Sequence, residues 1–384
     1  MPSTDLLIRA ESLVDPASRR TGSGAIAVTD GKITFSSIGS ASYEAPKARS
    51  TVEISDGVVL PGLVDLHAHP GTSNSRFGVD PDRYLLPRGS TTVMSQGDAG
   101  ARNVNEYIAE TIRPSATTVK LAINFCAGGE SNPQGRFFSL DEASVSECVS
   151  AIERARSHIW GISLNIAFIR GKNISPLEIM RRGIRAAEET GLPIMFGATK
   201  NTEVPLADQF GLLRPGDVVT YCFHSGEGSI VENGRLLDCV WEARERGVLF
   251  DVGDGTDAFG FDVAETAIAS GFLPDTIWSD FYRHHVVSGI EHDLPLVVSK
   301  LVAIGMTPEQ CWPRITSMPA NILGLADTGT LAEGANADIC ILKESEAPEA
   351  LRDGHGRVRI GKRWRPVATY KAGRPVGANS RDIR

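Results

Sequence analysis

The chain has 384 residues, 41% of them hydrophobic and 22% charged, enough for one large core and a smaller lobe. Against 47 Asp and Glu stand 39 Lys and Arg, a net charge of -8, which excludes a global basic field of the kind that draws nucleic acid or an anionic membrane surface. No apolar run is long enough to cross a bilayer, so a small-molecule substrate is the expected partner, with neither nucleic acid nor membrane.

The opening stretch, Met1 to Arg20, mixes Asp5, Arg9, Glu11 and Asp15 among its apolar residues, a pattern that predicts no secretory leader and a cytoplasmic protein. Short strands follow over Leu6–Arg9, Ala25–Val28, Lys32–Phe35 after an Asp30-Gly31 turn, and Thr51–Ile54. From about residue 57 the pattern changes to apolar strands alternating with helical stretches, which predicts parallel βα units with both sheet faces covered. Eight strand candidates appear: Val58–His67, Thr91–Gly97, Val119–Cys126, Ile159–Asn165, Pro193–Gly197, Val218–His224, Val248–Gly253 and Thr276–Phe281. Between them Leu177, Met180, Ile184 and Ala187 recur at helical spacing and Gly191 closes the segment, while 262–270 ends in the same way at Gly271. Thr307-Pro308-Glu309-Gln310 sets a capping box for a helix running towards Leu323 with a bend at Pro313. Strands return over Ala337–Leu342 and Pro366–Tyr370, separated by a polar, Gly-containing excursion at 352–362.

Eight βα units with β-only pieces at both ends predict an α/β chain: a (β/α)8 TIM barrel over 57–327, and a small β-sandwich formed by the N- and C-terminal segments, 1–56 and 328–384. Six cysteines without CxxC spacing predict reduced, mostly buried thiols. Cys126 and Cys222 fall at strand ends and are candidates for more than packing.

In such a barrel the chemistry sits where strands end. His67 and His69, at i and i+2 on the first strand, face the same way and can bind one metal ion. Asp280 ends the eighth strand, where a carboxylate could bind that ion and shuttle a proton, or serve only as a helix cap. The sixth strand ends Thr220-Tyr221-Cys222-Phe223-His224, offering His224 and Cys222 as further ligands or as packing. Cations follow three strand ends: Arg170 and Lys172 after the fourth, Lys200 after the fifth, Arg283 after the eighth. Arg170, Lys200 or Arg283 could grip a substrate carboxylate, and Asp254 or Asp257 could meet a cationic end.

Pro61-Gly62-Leu63-Val64-Asp65-Leu66-His67-Ala68-His69, Ser279-Asp280, Pro319-Ala320-Asn321 and the closing run from Gly329 to Ile339 resemble the amidohydrolase superfamily over nearly the whole chain. Leu213 to Val219 and Phe250-Asp251-Val252-Gly253 resemble its dihydroorotase-like and D-aminoacylase-like branch. That resemblance implies a barrel with a sandwich, metal-dependent hydrolysis and frequent association into homo-oligomers. Ser163 stands where the branch carries a bridging lysine, Gly197 where the fifth strand carries a histidine, and Tyr221 where the sixth carries its first. Asp254 stands in a Gly-His-Gly-like position, and Tyr282 replaces a histidine beyond Asp280.

Two accounts follow. A rebuilt site holds one ion, Zn2+ or another divalent metal, on His67, His69 and Asp280, with His224 as the leading addition and Asp254, Asp98, Cys126 or Cys222 as others. Alternatively the scaffold has lost its metal and runs lyase, isomerase or deaminase chemistry, or only binds a metabolite. The rebuilt site is favoured because scattered decay would not spare His67, His69 and Asp280 together. The expected activity is hydrolysis of an amide, cyclic amide or ester in a carboxylate-bearing substrate. Asp280 acts as base and then acid, His224 or Tyr221 polarises the carbonyl, and His284 and His285 are candidates to replace lost groups.

Overall fold

Unbroken burial, rather than alternation, marks the strands of the larger unit. Every residue of Leu63–Ala68 and of Ser90–Gly100 is buried, as expected of parallel strands covered on both faces. The computed structural model describes residues 4–40, 42–72, 75–132, 135–167, 169–199 and 204–377. Within these, seven parallel strands pair in chain order: Leu63–Ala68, Ser90–Gly100, Thr118–Asn124, Ile159–Asn165, Ile194–Gly197, Val218–Val219 and Leu249–Phe250. The segment 276–281 closes the ring, bridging the seventh strand at Asp251–Thr276 and the first at Ala68–Phe281, both in parallel sense. Asp275 N donates to Phe250 O at 2.7 Å and His69 N to Phe281 O at 2.9 Å. The result is the eight-membered barrel, its last strands short because their C-terminal halves turn early into loops.

The strand expected over Val58–His67 divides at Gly62. Val58–Pro61 pairs antiparallel with Ile339–Glu344, and only after Gly62 does Leu63–Ala68 join the barrel. A Cβ at Gly62 would lie 2.2 Å from Thr91 Oγ1, so only glycine lets the chain pass between the two sheets there. The terminal segments supply an eight-stranded sheet in which Thr4–Asp15 pairs with Arg20–Thr29 on one edge, and with Ala48–Ile54 and then Val58–Pro61 on the other. Ile33 N donating to Ala335 O at 2.9 Å draws the sheet's ends together around Ile8, Leu13, Ile26, Ile339 and Ile341.

The helix Pro176–Thr190 starts on Ser175, with proline in its first turn, and stops at Gly191 in the left-handed region. Its inner face is Ile179, Met180, Gly183, Ala186 and Ala187, one position round from the stripe read in the sequence. The capping box forms as expected, with Thr307 Oγ1 accepting from Gln310 N and Gln310 Oε1 from Thr307 N. Its helix does not continue to Leu323. Pro308–Cys311 tightens into a 3-10 turn, Trp312–Ile315, and breaks at Thr316 before Ser317–Ile322, because Pro313 removes a donor within the first turns. The excursion at 352–362 is a hairpin of Glu349–Arg352 and Val358–Gly361. Trp278 on the eighth strand is wholly buried against Val64, Leu66, Met94 and Met195, and its truncation to alanine would cost roughly 3–5 kcal/mol. Among the described residues no helix is long and apolar enough to cross a membrane.

Candidate active site and metal centre

Pairing of the first and eighth strands brings the predicted triad together. Asp280 N donates to His67 O at 2.7 Å, and Asp65 Oδ1 accepts from both His67 N and Ser279 N at 3.2 Å, so the two strand ends are fixed in register. Asp280 Oδ1 then lies 3.2 Å from His67 Nε2 and 3.5 Å from His69 Nε2. One ligand atom from each of the three residues falls within 4.8 Å of the others, and all three residues are buried. Asp280 sits at φ 50° and Tyr221 at φ 61°, conformations that cost free energy in residues other than glycine and that cluster at functional sites.

Each imidazole is held from behind. His69 Nδ1 faces Asp98 Oδ1 at 3.2 Å, and Asp98 is itself fixed by the hydroxyls of Ser75 (2.5 Å) and Ser95 (2.6 Å). His67 Nδ1 faces Thr220 Oγ1 at 2.9 Å. Burial works against a charge on His69, but Asp98 and then Asp280 outweigh it and push the group up to about 10. Burial lowers His67, whose far side meets only a neutral hydroxyl. Burial also works to raise Asp280, and the imidazoles overcome it, holding the carboxyl well below the usual range. His67 cannot be both neutral and the cation that holds Asp280 down; with two carboxylates flanking it, His69 is that cation.

These residues fit a divalent ion. Asp280 Oδ1 is a buried acceptor without an aligned hydrogen bond, although two imidazole nitrogens stand close to it. Two imidazoles and a carboxylate are the donor set of a three-ligand catalytic zinc site. Among the described residues it is the one such group.

The pocket above the triad encloses about 170 Å3, with walls that include His69, Phe77, Arg136, Asn165, Tyr221 and Asp280. Tyr221 Oη lies 3.0 Å from His67 Nε2 and 3.4 Å from Asp280 Oδ2. On the fourth strand Ser163 is buried beside Gly97, and it is Asn165, two residues on, that reaches the pocket. A Cβ at Gly197 would lie 2.7 Å from Asn165 Cγ, so a histidine there would collide with this side chain. Tyr282 also lines the pocket, its hydroxyl shared with Thr256.

Several expected residues stand elsewhere. His224 lines the same pocket, but its Nε2 is 3.2 Å from Glu227 O and the structure does not bring it into the ligand group. Asp254 is buried in an ion pair with Lys300 at 2.5 Å and is not a pocket wall; Asp257 is. Arg283 donates to Ser75 O and Gly78 O at 3.2 Å and so latches the loop carrying Phe77. Arg170 is exposed and absent from the described walls; its backbone N–H donates to Arg136 O. Lys200 lies outside the described residues. The cation that does line the pocket is Arg136, on the loop after the third strand, paired through Nε with Glu130 at 2.9 Å. Nothing in its sequence context distinguishes it from other loop arginines. Cys126 is pushed up to about 11 by burial and Cys222 well above its ordinary value by the same cause, which removes both as thiolates. His285 is buried, stacked on His292 at 4.1 Å and lowered to about 3 by burial, while His284 is exposed.

No protein-family profile matches the chain. A deacetylase from Brucella anthropi is 30% identical over 346 residues, covering 88% of this chain and 83% of its own. The chain belongs to the amidohydrolase superfamily. A deacetylase from Enterococcus faecalis is 29% identical over 85% of this chain and 89% of its own. Among solved structures, one described as an adenine deaminase superposes with a TM-score of 0.85 at 27% identity, over 97% of this chain and 99% of that one. Another, described as a dihydroorotase, gives 0.84 at 25% identity with the same coverage. This amidohydrolase is therefore a hydrolase on a TIM-barrel scaffold, as the strand-end motifs lead one to expect.

Proposed function

We propose that this amidohydrolase cleaves an amide, cyclic amide or ester bond in a small, carboxylate-bearing substrate, using one divalent ion held by His67, His69 and Asp280. The observation that carries the reading is Asp280 Oδ1, a buried acceptor 3.2 and 3.5 Å from two imidazole nitrogens with no aligned hydrogen bond of its own. When bound there, a divalent ion supplies Lewis-acid polarisation and makes water a stronger acid.

The chain's own residues supply the rest. Asp280 takes a proton from the attacking water and returns it to the leaving nitrogen or oxygen as that bond breaks, so it acts first as base and then as acid. Tyr221, whose hydroxyl burial keeps well above its ordinary pKa and therefore protonated, donates to the carbonyl oxygen as negative charge builds on it. Arg136, rather than the expected Arg170 or Arg283, is the group that orients an anionic end, because among the described residues it alone of these three arginines lines the pocket. The deacetylase relatives favour an acetyl group as the acyl portion. The test is a panel of N-acetyl and O-acetyl carboxylates with their uncharged amides, assayed for acetate release. Acetate release selective for the acids supports the reading, and no release from any member on the ion-loaded protein refutes it. The adenine deaminase neighbour supports a second reading, replacement of an aromatic amine by water. Ammonia release from aminopurines, with no acetate release, would select it.

A further inference from the structure

We infer that Thr220 and Asp251 form a relay that fixes the tautomer of His67 and so prepares its Nε2 for the ion; the inference rests on the ion site proposed above.

The chain of bonds runs from His67 Nδ1 to Thr220 Oγ1 at 2.9 Å, and from Thr220 Oγ1 to Asp251 Oδ2 at 3.0 Å. A hydroxyl has one proton to give. Thr220 directs it to Oδ2 of the Asp251 carboxyl, which burial raises well above its usual range and whose other oxygen faces Thr276, so towards His67 the hydroxyl accepts and Nδ1 carries the imidazole hydrogen. Nε2 is left with its lone pair, the form a metal ion requires. Asp251 has no exposed surface and a second hydroxyl, Thr276 Oγ1, at 3.5 Å from its other oxygen, so its orientation is also set.

The Tyr221 hydroxyl stands 3.0 Å from Nε2 and 3.4 Å from Asp280 Oδ2, and its one proton can serve either. Asp280 Oδ1, only 3.2 Å away, nonetheless has no aligned hydrogen bond from a ring N–H. The two ligating histidines are thus supported differently. His69 leans directly on Asp98, whereas His67 reaches the carboxyl of Asp251 through a neutral hydroxyl. Thr220 and Asp251 directly follow the sixth and seventh strands, so two neighbouring strand ends aim a ring carried by the first. They are positioning residues, acting only through His67.

The experiment compares the native chain with Thr220→Val, which keeps the shape and removes the hydroxyl, and Thr220→Ser, which restores it. Zn2+ affinity is measured on metal-free protein by competition with a chromophoric chelator. Nitrogen-15 spectra of the metal-free chain, assigned with a His67→Gln control, report which ring nitrogen of His67 is protonated. The relay predicts an Nδ1–H tautomer in the native chain, a roughly 10–100-fold weaker Zn2+ affinity in Thr220→Val, and recovery in Thr220→Ser. Native-like affinity in a folded Thr220→Val chain overturns it, as does an Nε2–H tautomer in the native chain, which needs no variant to observe. Failure of the native chain to bind Zn2+ at all would instead refute the ion site, while the tautomer still decides the relay.

Discussion

Lys300→Met isolates the ion pair that holds the loop behind Asp280. Lys300 Nζ is 2.5 Å from Asp254 Oδ2, with 6% and 2% of the two side chains exposed, so the substitution leaves a carboxylate buried without its cation. Breaking a buried pair from one side costs roughly 3–5 kcal/mol. Protonating a carboxyl of ordinary pKa, so that it enters the core neutral at pH 7, costs about 4 kcal/mol, an upper bound because burial already raises Asp254 beside Lys300. The sign of the pH dependence follows. Burial already raises Asp254 above its unfolded value and losing Lys300 raises it further, so the added penalty is absent at low pH and grows by about 1.4 kcal/mol per pH unit as pH rises from the native folded-state pKa to the variant's. Urea unfolding at pH 5 and pH 7 should therefore show the variant losing much less stability at the lower pH. In Asp254→Asn/Lys300→Met most of the loss should be recovered. The damage should also reach the site, since Asp254 precedes Gly255, where a Cβ would come within 2.3 Å of Asp280 Oδ2. A cost below about 1 kcal/mol at pH 7, or the same cost at both pH values, would refute the reasoning.

Asp280→Asn should stay folded and lower kcat by roughly 10²–10⁴-fold, the usual contribution of a positioned acid–base group, as steady-state assays can show. Because Asp98 and Asp280 overcome burial to lift His69 to about 10, an entering ion must displace its proton. Zn2+ affinity should then rise about tenfold per pH unit between pH 6 and pH 9, with one proton released, measurable by calorimetry in buffers of different ionisation enthalpy. The same shift makes the metal-free chain lose stability as pH climbs from about 6.5 towards 10, since a raised folded-state pKa stabilises only below it. Arg136→Met should raise KM for a carboxylate-bearing substrate by roughly 10–100-fold, the scale of one charge-assisted hydrogen bond. Arg170→Ala should leave it unchanged, because that side chain is exposed and outside the described pocket walls.

The strand ends were the legible part of this molecule. His67, His69 and Asp280 can be picked out because period-2 strands and a closed parallel ring leave few places for such residues to point. Local chemistry was equally readable where it is self-contained, as in the Thr307–Gln310 capping box. What failed was whatever depends on a partner distant in sequence. Asp254 reads as a pocket carboxylate until Lys300, on the helix Leu294–Ala303, claims it. Arg283 reads as a substrate cation but bonds the backbone of the loop 75–78. The change of sheet at Gly62 is invisible in an unbroken apolar run, since both halves have the same composition and differ only in what they pair with. Arg136 was missed because a loop cation's direction is set by the turn that carries it, not by its distance from a strand end.

On the function proposed here, two imidazoles and one carboxylate bind one divalent ion. Equilibrium loading of the metal-free chain with Zn2+, followed by elemental analysis of the native protein and of His67→Ala/His69→Ala, tests it most directly. One ion per native chain and none in the folded double variant is the predicted result; a native chain that takes up no ion, or a double variant that retains one as tightly, would contradict it.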